Sequence, residues 1–148
     1  MMRVIEGDLL GLALDGVFDV IVHGCNCQCV MGAGIAKAIK AQFPEAYEAD
    51  CKTDKGSYEK LGTYSTATVG GLTIVNAYTQ FHWKGKSVKV DYEAIGSVFR
   101  ALKKEFPNKK IGYPLIGAGL AGGDWKVIEA IINKELEGEN HTLVRFVP

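Results

Sequence analysis

The sequence predicts an α/β domain, a central mixed sheet with helices on both faces, and three observations carry that prediction. Residues 20–38 (VIVHGCNCQCVMGAGIAKA) and 113–125 (YPLIGAGLAGGDW) each lead from an apolar run through a glycine-rich loop into a helical pattern, the signature of a buried strand feeding a helix. Residues 62–69 and 72–78 flank Gly70-Gly71, which reads as a hairpin with a two-residue turn. Tyr92, Ile95, Val98, Phe99, Leu102 and Phe106 recur at helical spacing and supply an amphipathic cover for the sheet. Crossovers together with a hairpin imply a sheet that is mixed rather than parallel throughout.

In chain order, residues 3–6 form a short strand ending at Gly7-Asp8, and residues 12–15 a brief helical turn. The second strand starts at 18–20 and stops at His23-Gly24. A helix over 34–43 is closed by Pro44, and a polar helix over 45–54 ends at Gly56. After the hairpin, the helix begun at Asp91 stops at Pro107-Asn108. A strand over 110–115, a helix over 124–136 with Val127, Ile128, Ile131 and Ile132 inward, and a last strand over 142–147 complete the domain. There is no internal repeat, linker or low-complexity segment.

Two strand-loop-helix units in one sheet place their loops at carboxyl ends of strands, facing across a crevice. The first N–H groups of each helix have no intrahelical acceptor, and glycine lets the backbone approach a ligand closely. The chain is therefore expected to hold a diphosphate.

Composition narrows the partners. The 148 residues are 47% apolar and 23% charged, ordinary for a globular domain of one core. Seventeen Lys and Arg balance seventeen Asp and Glu, so no overall field draws nucleic acid or an anionic membrane, and a charged polymer is held only by a local patch. No apolar run approaches a bilayer span and the N-terminus lacks a signal-peptide core, from which a cytosolic protein is expected. Cys25, Cys27 and Cys29 alternate too closely for relaxed disulfides among themselves, and with His23 and Cys51 they lack the CxxC spacing of structural zinc. No metal or cofactor is expected; small, weakly polar side chains suit a tightly packed loop.

Gly7-Asp8-Leu9, then His23-Gly24-Cys25-Asn26 with residues 31–36 (MGAGIA), then residues 114–120 (PLIGAGL) with Gly122-Gly123-Asp124-Trp125, together resemble a macrodomain, the ADP-ribose-binding module. The order and spacing of these motifs extend over nearly the whole chain. Within that family they are most similar to the stand-alone branch of ADP-ribose-1''-phosphate phosphatases of yeast and phage type and of terminal ADP-ribose glycohydrolases.

The resemblance implies a three-layer α/β/α fold and a set of roles. Asp8, with Leu9 beside it, takes the adenine amino group; the alternative is that Asp8 caps the turn that follows. Phe146, on the last strand, lies against adenine or else in the core. Asn26 holds the distal ribose hydroxyls, or serves its own loop. Gly32, Ala33, Gly34 and Ile35 give backbone N–H groups to one phosphate, and Gly117, Ala118, Gly119 and Leu120 to the other. His23 and Asp124 form a catalytic pair, Asp124 as nucleophile or water-orienting base and His23 as proton donor; otherwise they are a core histidine and a helix cap.

The implied activity is hydrolysis of ADP-ribose-1''-phosphate, a by-product of tRNA splicing, to ADP-ribose and phosphate. Removal of ADP-ribose from a modified protein or nucleic acid, and non-catalytic reading of ADP-ribose, are the alternatives. The implied partner is thus ADP-ribose or its 1''-phosphate, with protein or nucleic acid bound only when ADP-ribosylated, and no membrane, by a monomer. One departure counts against the glycohydrolases of this branch: they carry a lysine where this strand ends in residues 76–80 (NAYTQ). Lys84 and Lys86 follow in what reads as an exposed loop.

Overall fold

The computed structural model describes residues 1–84 and 88–147. The elements run β1 (Arg3–Glu6), α1 (Leu9–Leu14), β2 (Val20–Asn26), α2 (Gly34–Gln42), α3 (Pro44–Cys51), a 3-10 turn (Tyr58–Lys60), β3 (Tyr64–Val69), β4 (Leu72–Gln80), α4 (Tyr92–Glu105), β5 (Ile111–Tyr113), α5 (Trp125–Glu135) and β6 (His141–Arg145). The sheet order is β1-β6-β5-β2-β4-β3. Every neighbouring pair is parallel except β3 and β4, the hairpin that turns at Gly70-Gly71.

Alternation along the strands divides the core. Val20, Val22, Val75, Ala77, Ile111, Tyr113 and Leu143 face α4 and α5, where Ile95, Phe99, Leu102, Ile128 and Ile132 are fully buried. Ile21, Ile74 and Val144 face α1, α2 and α3 with Leu10, Ile39, Phe43 and Ala46. Each such large apolar side chain contributes about 1.5–3 kcal/mol by leaving water. Gly112 is required at its position: a Cβ there would stand 2.8 Å from the Phe18 ring, which lies flat over the strand.

Several boundaries differ from the sequence reading. The turn expected at 12–15 is the end of a six-residue helix, α1, begun where Asp8 accepts a hydrogen bond from the Leu10 N–H. Pro44 opens α3 rather than merely closing α2, because its fixed φ and missing N–H suit a first helical position. Strand β6 ends at Arg145, so Phe146 follows the strand instead of standing on it. Lys86 lies outside the described residues.

Candidate functional site

Across the carboxyl ends of β6, β5, β2 and β4 runs a cavity of about 690 Å3, within the size range that holds small-molecule ligands. Its floor and walls are Gly24, Cys25 and Asn26 from β2, residues 32–36 at the start of α2, and residues 114–117 and 119–121 after β5. The sheet order fixes its ends. Val144 and Phe146 stand at the β6 end, and Gln80, Trp83 and Lys89 belong to the β4 end.

Both loops present backbone. Ala33 caps α2 in extended conformation with no side-chain hydrogen bond, and Gly34 follows at φ 58°, so the first N–H groups of α2 are not taken by a capping side chain. Opposite, Gly117 has φ 76° and Leu120 is 74% exposed. The loops meet closely: a Cβ on Gly34 would lie 3.4 Å from Leu120 Cδ1. Helix N-termini and successive loop amides in this arrangement attract phosphate.

Each loop is held in its own way. The Asn26 amide Nδ2 donates to the Val30 carbonyl at 2.9 Å and its Oδ1 accepts from the Gln28 N–H at 2.9 Å. Asn26 thus shapes its own loop, yet each amide atom keeps the capacity for one further hydrogen bond, and the residue lines the cavity. Buried Lys60 donates from Nζ to the Cys27 carbonyl at 3.2 Å and lies 3.7 Å from Cys29 Sγ. Buried Asp50 accepts from the Tyr78 hydroxyl at 2.7 Å. In the second loop the Gly123 N–H donates to the Gly117 carbonyl and the Gly122 N–H to the Gly119 carbonyl. There a Cβ at Gly117 would come within 2.7 Å of Val90 Cγ2, and one at Gly123 within 2.5 Å of the Gly117 oxygen.

The residues named by resemblance are distributed unevenly. Asn26, Gly32, Ala33, Gly34, Ile35, Gly117, Gly119, Leu120 and Phe146 line the cavity; Ala118 packs toward the core, and Leu9, the first residue of α1, is buried in the core on that face of the sheet. Asp8 is exposed at the end of β1, beside β6, and caps α1. Phe146 is 72% exposed, with an open ring face rather than a place in the core.

His23 and Asp124 do not meet in the cavity. His23 has no exposed surface; its Nε2 bonds the Asn76 side-chain oxygen at 2.7 Å, and burial pushes its pKa down to about 4. Asp124 is exposed, caps α5 by accepting from the Lys126 N–H at 3.0 Å, and donates its own N–H to the Tyr92 hydroxyl oxygen at 3.0 Å. In this arrangement His23 is held neutral without access to a ligand. The alternation of β2 carries the signal for that burial: His23 shares a face with Ile21 and Cys25.

Gln80, Trp83 and Lys89 line the β4 end of the cavity although the sequence reading gave them no role. The parallel register sets Asn26 beside Gln80, a long-range pairing that local patterns do not reveal. Lys89 is brought in when its N–H donates to the Ala121 carbonyl at 2.8 Å, joining the segment after β4 to the second loop.

A family model of the Macro domain matches residues 22–132. The chain is a macrodomain. This macrodomain is 34% identical over 142 residues to an uncharacterized 17.5 kDa protein of Enterobacteria phage T4, covering 90% of this chain and 88% of that one. It is 32% identical over 130 residues to the DNA ADP-ribosyl glycohydrolase of Mycobacterium tuberculosis, covering 84% of this chain but only 35% of the glycohydrolase. Against the ADP-ribose 1''-phosphate phosphatase of Scheffersomyces stipitis the identity is 47%, over 49 residues that make up 32% of this chain and 28% of the phosphatase. The macrodomain of Mycobacterium tuberculosis DarG superposes with a TM-score of 0.75 at 23% identity, covering 100% of this chain and 98% of that one, which supports the three-layer fold.

Proposed function

We propose that this macrodomain binds ADP-ribose in the crevice and hydrolyses ADP-ribose conjugates at C1''. The observation that carries the reading is the pair of backbone cradles facing each other across one cavity, Gly34 against Leu120. With the diphosphate on the two loops, adenine lies toward β6, between Asp8 and the open face of Phe146. A carboxylate is an apt acceptor for the adenine amino group. The distal ribose then lies toward β4, near Asn26, Gln80 and Lys89.

Release of ADP-ribose from a modified macromolecule is favoured over the phosphatase reaction. The pair that the phosphatase reading needs is separated, with His23 sealed in the core and Asp124 outside the cavity lining. Similarity to the glycohydrolases also extends over far more of the chain than similarity to the phosphatases. In the proposed step water adds to C1'', the bond from C1'' to the conjugate breaks, and the conjugate leaves with a proton. Asn26 orients the ribose hydroxyls, and the Lys89 ammonium supplies positive charge at that end of the cavity.

The test is to incubate the protein with ADP-ribosylated DNA, ADP-ribosylated peptide and ADP-ribose-1''-phosphate, following release of ADP-ribose or phosphate, and to titrate free ADP-ribose calorimetrically. Heat from ADP-ribose and its release from a macromolecular conjugate are expected. Phosphate from the small substrate alone would restore the phosphatase, and binding with no turnover would make the protein a reader.

A further inference from the structure

At the β4 end of the cavity the chain carries two stacked aromatic pairs. The Tyr58 ring lies on Phe81 with centroids 3.6 Å apart and planes 3° from parallel. Trp83 lies on His82 at 4.1 Å and 20°. Phe81 packs against the core cluster of Cys25, Cys27, Met31 and Tyr78, while its partner Tyr58 is 71% and Trp83 44% exposed. Trp83 also lines the cavity, so the aromatic surface is continuous with the place where the distal ribose lies.

The charge of this surface has one sign along the β4 segment. The described residues 79–84 and 88–90 contain no Asp or Glu, and Lys84 Nζ stands 5.6 Å from the Trp83 ring centroid. The chain as a whole is neutral, so this local excess distinguishes the segment after β4 from the Tyr58 turn, where Glu59 is exposed. The platform is anchored as well as exposed. The Phe81 carbonyl accepts from the Cys27 N–H and from Gln28 Nε2, both at 3.0 Å, which ties the aromatic step to the first glycine loop.

We propose that Trp83 and the Tyr58–Phe81 stack form a nucleobase platform that grips single-stranded nucleic acid flanking an ADP-ribosylated nucleotide. This inference rests on the reading of the cavity as an ADP-ribose site, and it names the conjugate that the site serves. Every base offers a π-face, so stacking on exposed rings recognises a strand without reading its sequence, while a lysine meets the backbone phosphates.

The test compares the wild-type protein with Tyr58→Ala, Trp83→Ala, Tyr58→Phe and Lys84→Ala. Fluorescence anisotropy measures binding of short single-stranded and duplex DNA oligonucleotides, and calorimetry measures ADP-ribose. Single strands should bind in dilute salt better than duplex. Tyr58→Ala and Trp83→Ala should each weaken that binding by about tenfold or more. Tyr58→Phe should restore it, because the stacking face is kept. Tyr58→Ala should leave ADP-ribose affinity unchanged, as Tyr58 lies outside the cavity. Lys84→Ala should reduce the slope of log affinity against log salt by about 0.7.

Oligonucleotide binding that is absent, or equal in wild type, Tyr58→Ala and Trp83→Ala, overturns the platform while leaving the cavity reading intact. So does a loss of turnover in Tyr58→Ala that is as large on ADP-ribosylated peptide as on ADP-ribosylated DNA. A wild-type protein that fails to bind ADP-ribose overturns the cavity reading itself.

Discussion

The two glycine loops present similar backbone cradles but are built by opposite means. The first is braced by polar side chains: Asn26 bonds both ends of its own turn, Lys60 reaches the Cys27 carbonyl from the 3-10 turn, and the Cys29 thiol donates to the Asp50 carbonyl. The second is held by backbone turns and by shape, with Gly117 and Gly123 fitted against Val90 and Ile128 where no side chain has room. A polar brace responds to loss of a single donor or charge, whereas a steric fit responds only to added volume. One crevice thus has a chemically sensitive wall and an insensitive one.

The sharpest way to break the contrast is to add volume to the insensitive wall. Gly117→Val places a β-branched side chain at φ 76° with its Cβ 2.7 Å from Val90. A left-handed backbone penalty and overpacking together amount to roughly 4 kcal/mol. Thermal unfolding should fall accordingly and ADP-ribose binding should be lost; a variant with unchanged melting would show that the second loop is not held by fit.

Acid is the next largest lever, and it acts on the strand feeding the first loop. His23 titrates near 4 when folded, against 6.5 in the unfolded chain, so the unfolded state takes up the proton first as pH falls. Stability should be level above about pH 7, decline from 6.5 to 4 by roughly 3 kcal/mol on this residue's account, and decline no further below that. His141, lowered to about 4 by burial on β6, contributes in the same window. Denaturant unfolding across pH should therefore show a shallower decline in His23→Gln; an identical slope would refute the assignment.

Removing the buried cation is expected to matter less. Lys60→Met leaves the Cys27 carbonyl without this donor, a cost of about 2 kcal/mol, and should weaken ADP-ribose binding together with stability. If affinity stays constant while stability falls, the brace is structural only. The smallest effect belongs to Asp124. Asp124→Ala removes the cap of α5 and should cost about 1 kcal/mol, with Asp124→Asn restoring it. Turnover on ADP-ribosylated DNA should survive in Asp124→Asn; its loss in a variant of full stability would return the carboxylate to the chemistry.

What was legible in the sequence follows the same division. Gly32, Gly34, Gly117 and Gly119 declare both cradles because backbone approach requires glycine wherever the chain folds, and the double glycine at 70–71 declares the hairpin. The polar brace was not legible. Lys60, Asp50 and Tyr78 come from three elements, and only the pairing of β2 with β4 and the packing of α3 bring them beneath one loop. Phe146 was assigned to a strand that stops one residue earlier, and the fully buried His23 reads as an accessible strand end only if the layer above β2 is ignored.

Strand β1 pairs with β6 from Arg3 opposite Thr142 to Glu6 opposite Arg145, and all four of its residues are exposed. Asp8 and Phe146 therefore become neighbours only when opposite ends of the domain have met. Closing so long a loop is slow, and a strand with little buried surface is weakly retained once docked. The β6 end of the crevice, where the proposed function puts adenine, should be the last part to assemble during folding and the first to open afterwards. Native-state hydrogen exchange should find the β1 amides exchanging well ahead of those of β2 and β4, and ADP-ribose should slow them by joining the two ends through its base.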